Sequence, residues 1–249
     1  MSLVLRARKH TEELDARLRE YLATDPWECI AEPNPSTGKD IHKLRLTTPL
    51  PQDIPPIARD AIINLRDALD HMVYASAVAL GAPKETKKTK FPFAESLYDL
   101  RRQMGRNDYE HIPPELFLII EWSKPSRHDG DKVFWAFNEL RNIKVHRTLR
   151  SFTVVFTNQH YYGGRFVGTG IKFLDQVWDG VKNEMPYMET TSGAEFSYRA
   201  NLNPAITLAD FEFLNKRLAV DLLVDIRGKI CEIGEKIENE TNRLLASRR

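Results

Sequence analysis

Arg141, Asn142 and His146 are the residues of this chain whose types and spacing are best suited to chemistry. A histidine with a pKa near 6.5 can accept or donate a proton close to neutral pH, and an arginine guanidinium can hold an anionic group in a fixed orientation. On a helix, Asn142 and His146 share one face, whereas Arg141 lies about 140° from His146 around the axis. The segment is therefore a candidate site for acid–base chemistry next to a charged group.

A second polar set lies in the segment 64–71. Arg66 and Asp70 are four residues apart, so they share a helix face and can form a charge-assisted pair. His71 lies beside Asp67 on another face of the same helix. We treat Arg66, Asp70 and His71 as further candidates for the same site.

Both segments belong to helices whose other positions are strongly apolar. Polar groups on such helices must be satisfied by one another or by a ligand. We therefore expect the two helices to pack together and to bring Arg66 or Asp70 within hydrogen-bonding reach of Asn142 or His146. No cluster of metal-ligand residues accompanies them, and we predict neither a metal nor a cofactor.

Basic residues flank these segments and could contact phosphate. A solvated surface loop is the alternative interpretation of the lysine-rich stretch 84–90. The candidates for RNA contact are Lys84, Lys87, Lys88, Lys90 and Arg147.

The segment 141–146 resembles the R-x4-6-H motif of the HEPN superfamily, whose α-helical domains occur in prokaryotic toxins and defence ribonucleases and commonly carry a polar residue after the arginine. The segments 64–71 and 142–147 are also similar to an uncharacterised bacterial family that pairs an N-L-R-x-A-L-D-H helix with an N-x-x-K-H-R helix. This chain has Val145 where the second family has lysine. The resemblance covers these two stretches and the helix order, and it does not extend to 151–203.

The resemblance implies metal-independent RNA cleavage that leaves a 2′,3′-cyclic phosphate. His146 would take the 2′-hydroxyl proton or protonate the 5′ leaving oxygen, and Arg141 would stabilise charge on phosphorus. A homodimer would bring two copies of His146 together, since one histidine hardly serves as acid and base at once. The implied partners are RNA or a nucleotide and an antitoxin-type protein.

Two other interpretations of the same residues stay open. Arg66, Asp70, Asn142 and His146 could form a satisfied polar core that fixes helix register in a structural or interaction protein. Alternatively, the protein could bind RNA or a nucleotide without cleaving it.

The elements around these residues predict an α+β fold in which a helical bundle is decorated by an antiparallel β-sheet. Apolar residues at helical spacing predict bundle helices over 57–80, 132–149 and 207–245. Alternating and β-branched stretches predict the sheet, drawn from 27–46 and 151–203. Because these stretches flank the bundle helices in the sequence, we predict one composite domain over the whole chain.

Four local signals add to this prediction. Thr207 to Asp210 resembles a capping box that opens the last helix, and the polar residues 158–163 predict a turn between two strands. The long apolar stripe of the last helix predicts homodimerisation, and Gly228 and Gly234 within it predict close helix packing or a bend.

The composition bounds the class of protein. The 249 residues are 42% hydrophobic and 29% charged, which is typical of a globular chain, and the net charge of +1 gives no global excess of positive charge. Cys29 and Cys231 lack metal-ligand spacing, which favours a reducing compartment. No apolar run reaches the roughly 18 residues of a membrane span, so we expect a cytoplasmic protein that is not bound to a membrane.

Overall fold

The computed structural model describes residues 2–84, 89–104, 109–142, 152–167, 170–192, 195–208, 214 and 217–248, with the backbone alone at 142, 152–167 and 195–208. The chain forms two compact units. We call them the helical unit (Met1–Leu14, Pro55–Arg150 and Val220–Arg249) and the sheet unit (Asp15–Ile54 and Ser151–Ala219). Neither unit is a contiguous half of the chain, and the expected single composite domain stays a prediction.

Helices build the helical unit, and the first of them continues into the sheet unit. Their bounds are α1 (Ser2–Leu22), α2 (Ile54–Ala79), α3 (Leu97–Gln103), α4 (Pro114–Trp122), α5 (Lys132–Asn142) and α6 (Ala219–Ser247). The predicted helices at 57–80 and 132–149 correspond to α2 and α5. The last residues of the second prediction, from 143 onward, lie outside the described residues.

Local sequence explains where α2 begins and ends. Pro55 and Pro56 occupy its first turn, where a missing backbone N–H costs nothing. At the other end, Gly81 has φ +106°, and the N–H of Ala82 donates to the carbonyl of Ala77 at 2.9 Å. This is the glycine-dependent helix ending in which a left-handed residue lets later amides satisfy the last carbonyls.

The apolar stripes of α2, α5 and α6 form the core of the helical unit. On α6, the side chains that step by three or four residues are at most 3% exposed: Leu222, Ile226, Ile230, Ile233 and Ile237. Gly234 lies against Met72 of α2, because a Cβ there would be 3.0 Å from the Met72 sulfur. Close helix packing, one of the two alternatives predicted for the glycines of α6, is confirmed at Gly234 but not at Gly228, where a Cβ would have nothing within 4 Å.

Antiparallel strands form the sheet unit, which confirms the α+β class. Their bounds are β1 (Trp27–Asn34), β2 (Lys39–Leu46), β3 (Phe152–Val167), β4 (Lys172–Phe173), β5 (Glu184–Thr191) and β6 (Glu195–Leu208). One sheet has the order β1-β2-β5-β4, and β3 pairs with β6 as a two-stranded ribbon. A turn that uses Gly38 at φ +64° joins β1 to β2.

Two local predictions are wrong. The last helix begins at Ala219, because Thr207 and Leu208 still belong to β6 and pair with Thr153 and Phe152 of β3. β-branched residues near 207 thus favour the ladder over the capping box. The segment 158–163 is not a turn either, since β3 continues through it and accommodates it with shifts of register.

The length and apolar character of the helices bear on whether the chain could cross a membrane. Across the described stretches of the chain, no helix combines the length and the apolar character that crossing a bilayer requires.

Candidate functional site

Arg66 of α2 is the centre of a buried polar cluster. Its Nε donates to Oδ1 of Asn138 on α5 at 2.8 Å, its Nη2 donates to the carbonyl of Phe91 at 3.0 Å, and its Nη1 donates to Oδ1 of Asp70. The Arg66 side chain is only 6% exposed. We call Arg66, Asp70, Asn138 and the backbone of Phe91 the inner cluster.

Asp70 ties a third piece of chain into the inner cluster. Its Oδ1 accepts the backbone N–H of Phe91 at 2.8 Å in addition to the Arg66 guanidinium. Phe91 therefore has both its N–H and its carbonyl satisfied by the α2 pair. The backbone of Phe91 is fixed in this way beside α2 and α5.

An aromatic ring packs against the Arg66 guanidinium. Its Cζ lies 5.1 Å from the ring centroid of Phe93, in cation–π geometry. Phe93 in turn packs against Phe134 of α5, with ring centroids 5.1 Å apart. A charge in such surroundings is tolerated because hydrogen bonds and a counter-ion replace its hydration.

A second, more exposed pair lies beside the inner cluster. Arg141, near the end of α5, donates through Nη2 to Oδ1 of Asp67 on α2 at 2.8 Å, and its Nη1 is 3.9 Å from Oδ2 of Asp70. The side chains of Arg141 and Asp67 are each 36% exposed. We call Asp67 and Arg141 the outer pair.

The two groups together are electrically balanced, with two arginines facing two aspartates. Their two arginines differ in exposure, since the Arg66 side chain is buried and the Arg141 side chain is partly exposed. The inner cluster can therefore fix the two helices, whereas Arg141 is held in place and still reachable from solvent. An arginine in this state can bind a carboxylate or a phosphate.

Only some of the candidate residues from the sequence lie in these two groups. Arg66, Asp70 and Arg141 come together in these two groups, and α2 and α5 are joined by hydrogen bonds as expected. The expected contact of Arg66 or Asp70 with Asn142 or His146 stays a prediction. His71 is exposed on α2. Asn142 ends α5 with only its backbone described, and His146 lies outside the described residues, as does Arg147.

Two of the four lysine candidates lie among the described residues. Lys84 is exposed, and its backbone carbonyl accepts the hydroxyl of Tyr74. Lys90 is exposed one residue before Phe91, so its backbone is anchored next to the inner cluster. Lys87 and Lys88 lie outside the described residues.

Sequence reasoning missed two members of the site. Asn138 is 9% exposed and receives the Arg66 Nε–H, and Asp67 holds Arg141. Asn138 lies between Phe137 and Glu139 on a helix with a wide aromatic face. An amide at a position that the helical pattern predicts to be buried is the signal that could have identified it.

The described residues contain no group of three or more His, Cys, Asp or Glu side chains arranged to hold a metal ion. Both cysteines are free thiols. Comparisons of the chain with protein-family models, with curated proteins and with solved structures found no match.

Proposed function

We propose that this protein is a HEPN-like, metal-independent ribonuclease whose site includes Arg141 and His146. The observation that carries the proposal is the state of Arg141, which is fixed by Asp67 and yet 36% exposed, three residues after the buried Asn138 on α5. A fixed and reachable guanidinium is suited to a phosphodiester, because little ordering is needed when the anion arrives.

The proposed reaction is an internal transfer at phosphorus. The ribose 2′-oxygen attacks phosphorus, its proton passes to one histidine, and the bond from phosphorus to the 5′-oxygen breaks as a second histidine protonates that oxygen. The products are a 2′,3′-cyclic phosphate and a 5′-hydroxyl. Arg141 stabilises the negative charge that develops on the phosphoryl oxygens.

The other candidates have supporting roles in this proposal. Arg66 and Asp70 hold α2 against α5, so that Asp67 can orient Arg141. Lys90, exposed beside the anchored Phe91, is placed to meet an RNA phosphate, with Lys84, Lys87, Lys88 and Arg147 as further contacts. His71 and Asn142 remain candidates for substrate contact.

The proposal includes a homodimer, in which His146 of each copy serves one step of proton transfer. It also includes an antitoxin-type protein partner, because an active ribonuclease needs restraint in its own cell. The two free thiols, Cys29 and Cys231, support a reducing cytoplasm as the compartment.

Cleavage of single-stranded RNA in EDTA tests the activity. We expect His146→Ala and Arg141→Ala each to abolish cleavage, and the products of the wild-type protein to carry 2′,3′-cyclic phosphate ends. His128→Ala is the matched control, because His128 is an exposed histidine of the helical unit paired with Glu95. Absence of EDTA-resistant cleavage by the wild-type protein across several RNAs would reject the proposal.

A structural role is the second candidate, and the balanced charge of the two groups favours it. If His146 belongs to the same satisfied core, His146→Ala should cost roughly 1 to 3 kcal/mol of unfolding free energy, because it leaves buried partners unsatisfied. A catalytic histidine in a cleft should instead leave the melting temperature nearly unchanged. Calorimetry on the same variant separates the two roles.

A further inference from the structure

A groove in the helical unit lies away from the inner cluster. It runs along α6 next to the end of α4 and the loop 123–131, and its volume is about 700 Å³. This volume falls within the range of pockets that hold small molecules. Its walls include Trp122 of α4, Lys124 and Asp131 of the loop, and Val224, Gly228 and Glu232 of α6.

The two glycines of α6 have different surroundings. A Cβ on Gly234 would meet Met72, so helix packing explains that glycine, whereas a Cβ on Gly228 would have nothing within 4 Å. A glycine inside a helix costs stability relative to alanine. Gly228 lies on the face of the groove, four residues from Val224 and four from Glu232, and leaves helix backbone open to an approaching ligand.

Trp122 supplies an aromatic wall. Its side chain is 49% exposed, and Lys236 lies 4.4 Å from its ring centroid without being part of the groove lining. The indole therefore meets Lys236 and also borders the groove. Val224, another lining residue, is 40% exposed. The indole, the Val224 methyl groups and the bare backbone at Gly228 are groups of the lining that a planar ring can contact.

The charges of the lining give no positive excess that would attract an anion. Lys229 donates to Asp131 at 2.6 Å and lies 4.6 Å from the Phe134 ring centroid, so its charge is compensated within the protein. The other charged groups of the lining are Lys124, Asp225 and Glu232, and Glu232 lies 3.7 Å from Lys236. These carboxylates can accept hydrogen bonds from hydroxyl or amine donors.

We propose that this groove binds a neutral nucleoside, with the base stacked beside Trp122 over Gly228 and the ribose hydroxyls donating to Glu232. The site is separate from the proposed cleavage chemistry, since none of its lining residues belongs to the inner cluster or the outer pair. Its ligand is recognised by a planar base and a sugar diol instead of a phosphate.

Calorimetric titration of the full-length protein with adenosine tests the proposal. We expect saturable binding that is insensitive to NaCl, no gain in affinity for adenosine 5′-monophosphate, and weaker binding of 2′-deoxyadenosine. Trp122→Ala should weaken adenosine binding by roughly 5- to 150-fold, the range for loss of one base-stacking contact. The readout is adenosine affinity and not RNA cleavage, so this test is independent of the ribonuclease proposal.

Gly228→Ala is the decisive variant, because it should stabilise the fold and impair the site. The added methyl group meets nothing within the protein, so the melting temperature should rise by about 2 to 4 °C. The same methyl group should lower adenosine affinity about tenfold or more by blocking approach to the helix. No detectable adenosine binding by the wild-type protein, unchanged affinity in Gly228→Ala, or tighter and salt-dependent binding of the monophosphate would each overturn the proposal.

Discussion

The inner cluster of the helical unit and the charged face of the sheet unit both join separate elements through ion pairs. The two differ in what else fixes those elements. On the sheet, Lys43 and Arg45 of β2 each bind both Glu32 of β1 and Glu184 of β5, at 2.6–2.9 Å. This charged face, like the inner cluster and outer pair together, has two cations and two carboxylates. Every one of its bonds, however, joins neighbouring strands whose backbones are already paired.

The helical site has no backbone ladder to fix its register. Its side chains bridge α2, α5 and the backbone of Phe91, and they do so around a guanidinium that is 6% exposed. Arg45, in contrast, is 35% exposed. The comparison indicates that the sheet uses its ion pairs to reinforce a register that hydrogen bonds already set, whereas the helices depend on Arg66 for theirs.

Removing Arg66 should therefore have the largest effect. Arg66→Met leaves the largely buried Asp70 with only the more distant Arg141 as a counter-ion and strands the Asn138 amide oxygen, so we expect a loss of about 3 to 5 kcal/mol of unfolding free energy. Urea denaturation at neutral pH measures it. Arg45→Met is the matched control and should shift the midpoint much less; equal shifts would mean that the two networks do not differ as described.

Asp70→Asn should have an intermediate effect. The amide oxygen of asparagine can still accept from the Phe91 N–H and from Arg66, so only the charge is lost, at a cost of about 1 to 2 kcal/mol. Asp70→Ala removes both hydrogen bonds to Oδ1 and should cost more. If the two variants are equally unstable in urea, the charge of Asp70 matters and its hydrogen bonds do not.

Acid should weaken the charged face of the sheet unit. Burial opposes ionisation of Glu184, but hydrogen bonds from Lys43 and Arg45 outweigh it and lower its pKa below the ordinary value. A carboxylate with a lowered pKa in the folded state stabilises the protein above its unfolded pKa, near 4.3, and this contribution is lost as pH falls through the folded pKa.

The matched variant is Glu184→Gln, which cannot ionise. The stability difference between wild type and Glu184→Gln should be constant near neutral pH and should shrink as the pH falls below about 4.5. Burial also lowers the pKa of His42, so both proteins lose stability below its unfolded pKa of about 6.5, and only the difference between them reports on Glu184. A difference that does not change with pH would refute this account.

Local contacts of the helical site could be predicted from the sequence, and the contacts between helices only in part. The Arg66–Asp70 pair follows from a spacing of four residues on one helix. The partner on α5 is Asn138, which no spacing within α2 can indicate, because it depends on how α5 is rotated about its axis. The expected contacts with Asn142 and His146 stay predictions.

The sheet shows the same limit. β1 and β2 follow from alternation around a turn, but β5 could not be recognised, because Glu184 and Glu189 interrupt its apolar pattern. These carboxylates are nearly buried only because Lys43, Arg45 and Lys39 of β2 neutralise them. The strand conformation near 207 is likewise determined by pairing with β3. In each case a partner distant in the sequence determines the outcome.

The outer pair should have the smallest effect on stability and the most informative one. Because Asp67 and Arg141 are each 36% exposed, a double-mutant cycle with Asp67→Ala and Arg141→Ala should give a coupling of only about 0.2 to 1 kcal/mol. Arg141→Ala alone should thus leave a folded protein with a nearly native urea midpoint. If that protein has also lost RNA cleavage, the loss cannot come from unfolding, and Arg141 acts on the substrate. A coupling of several kcal/mol would instead make the outer pair a structural extension of the inner cluster.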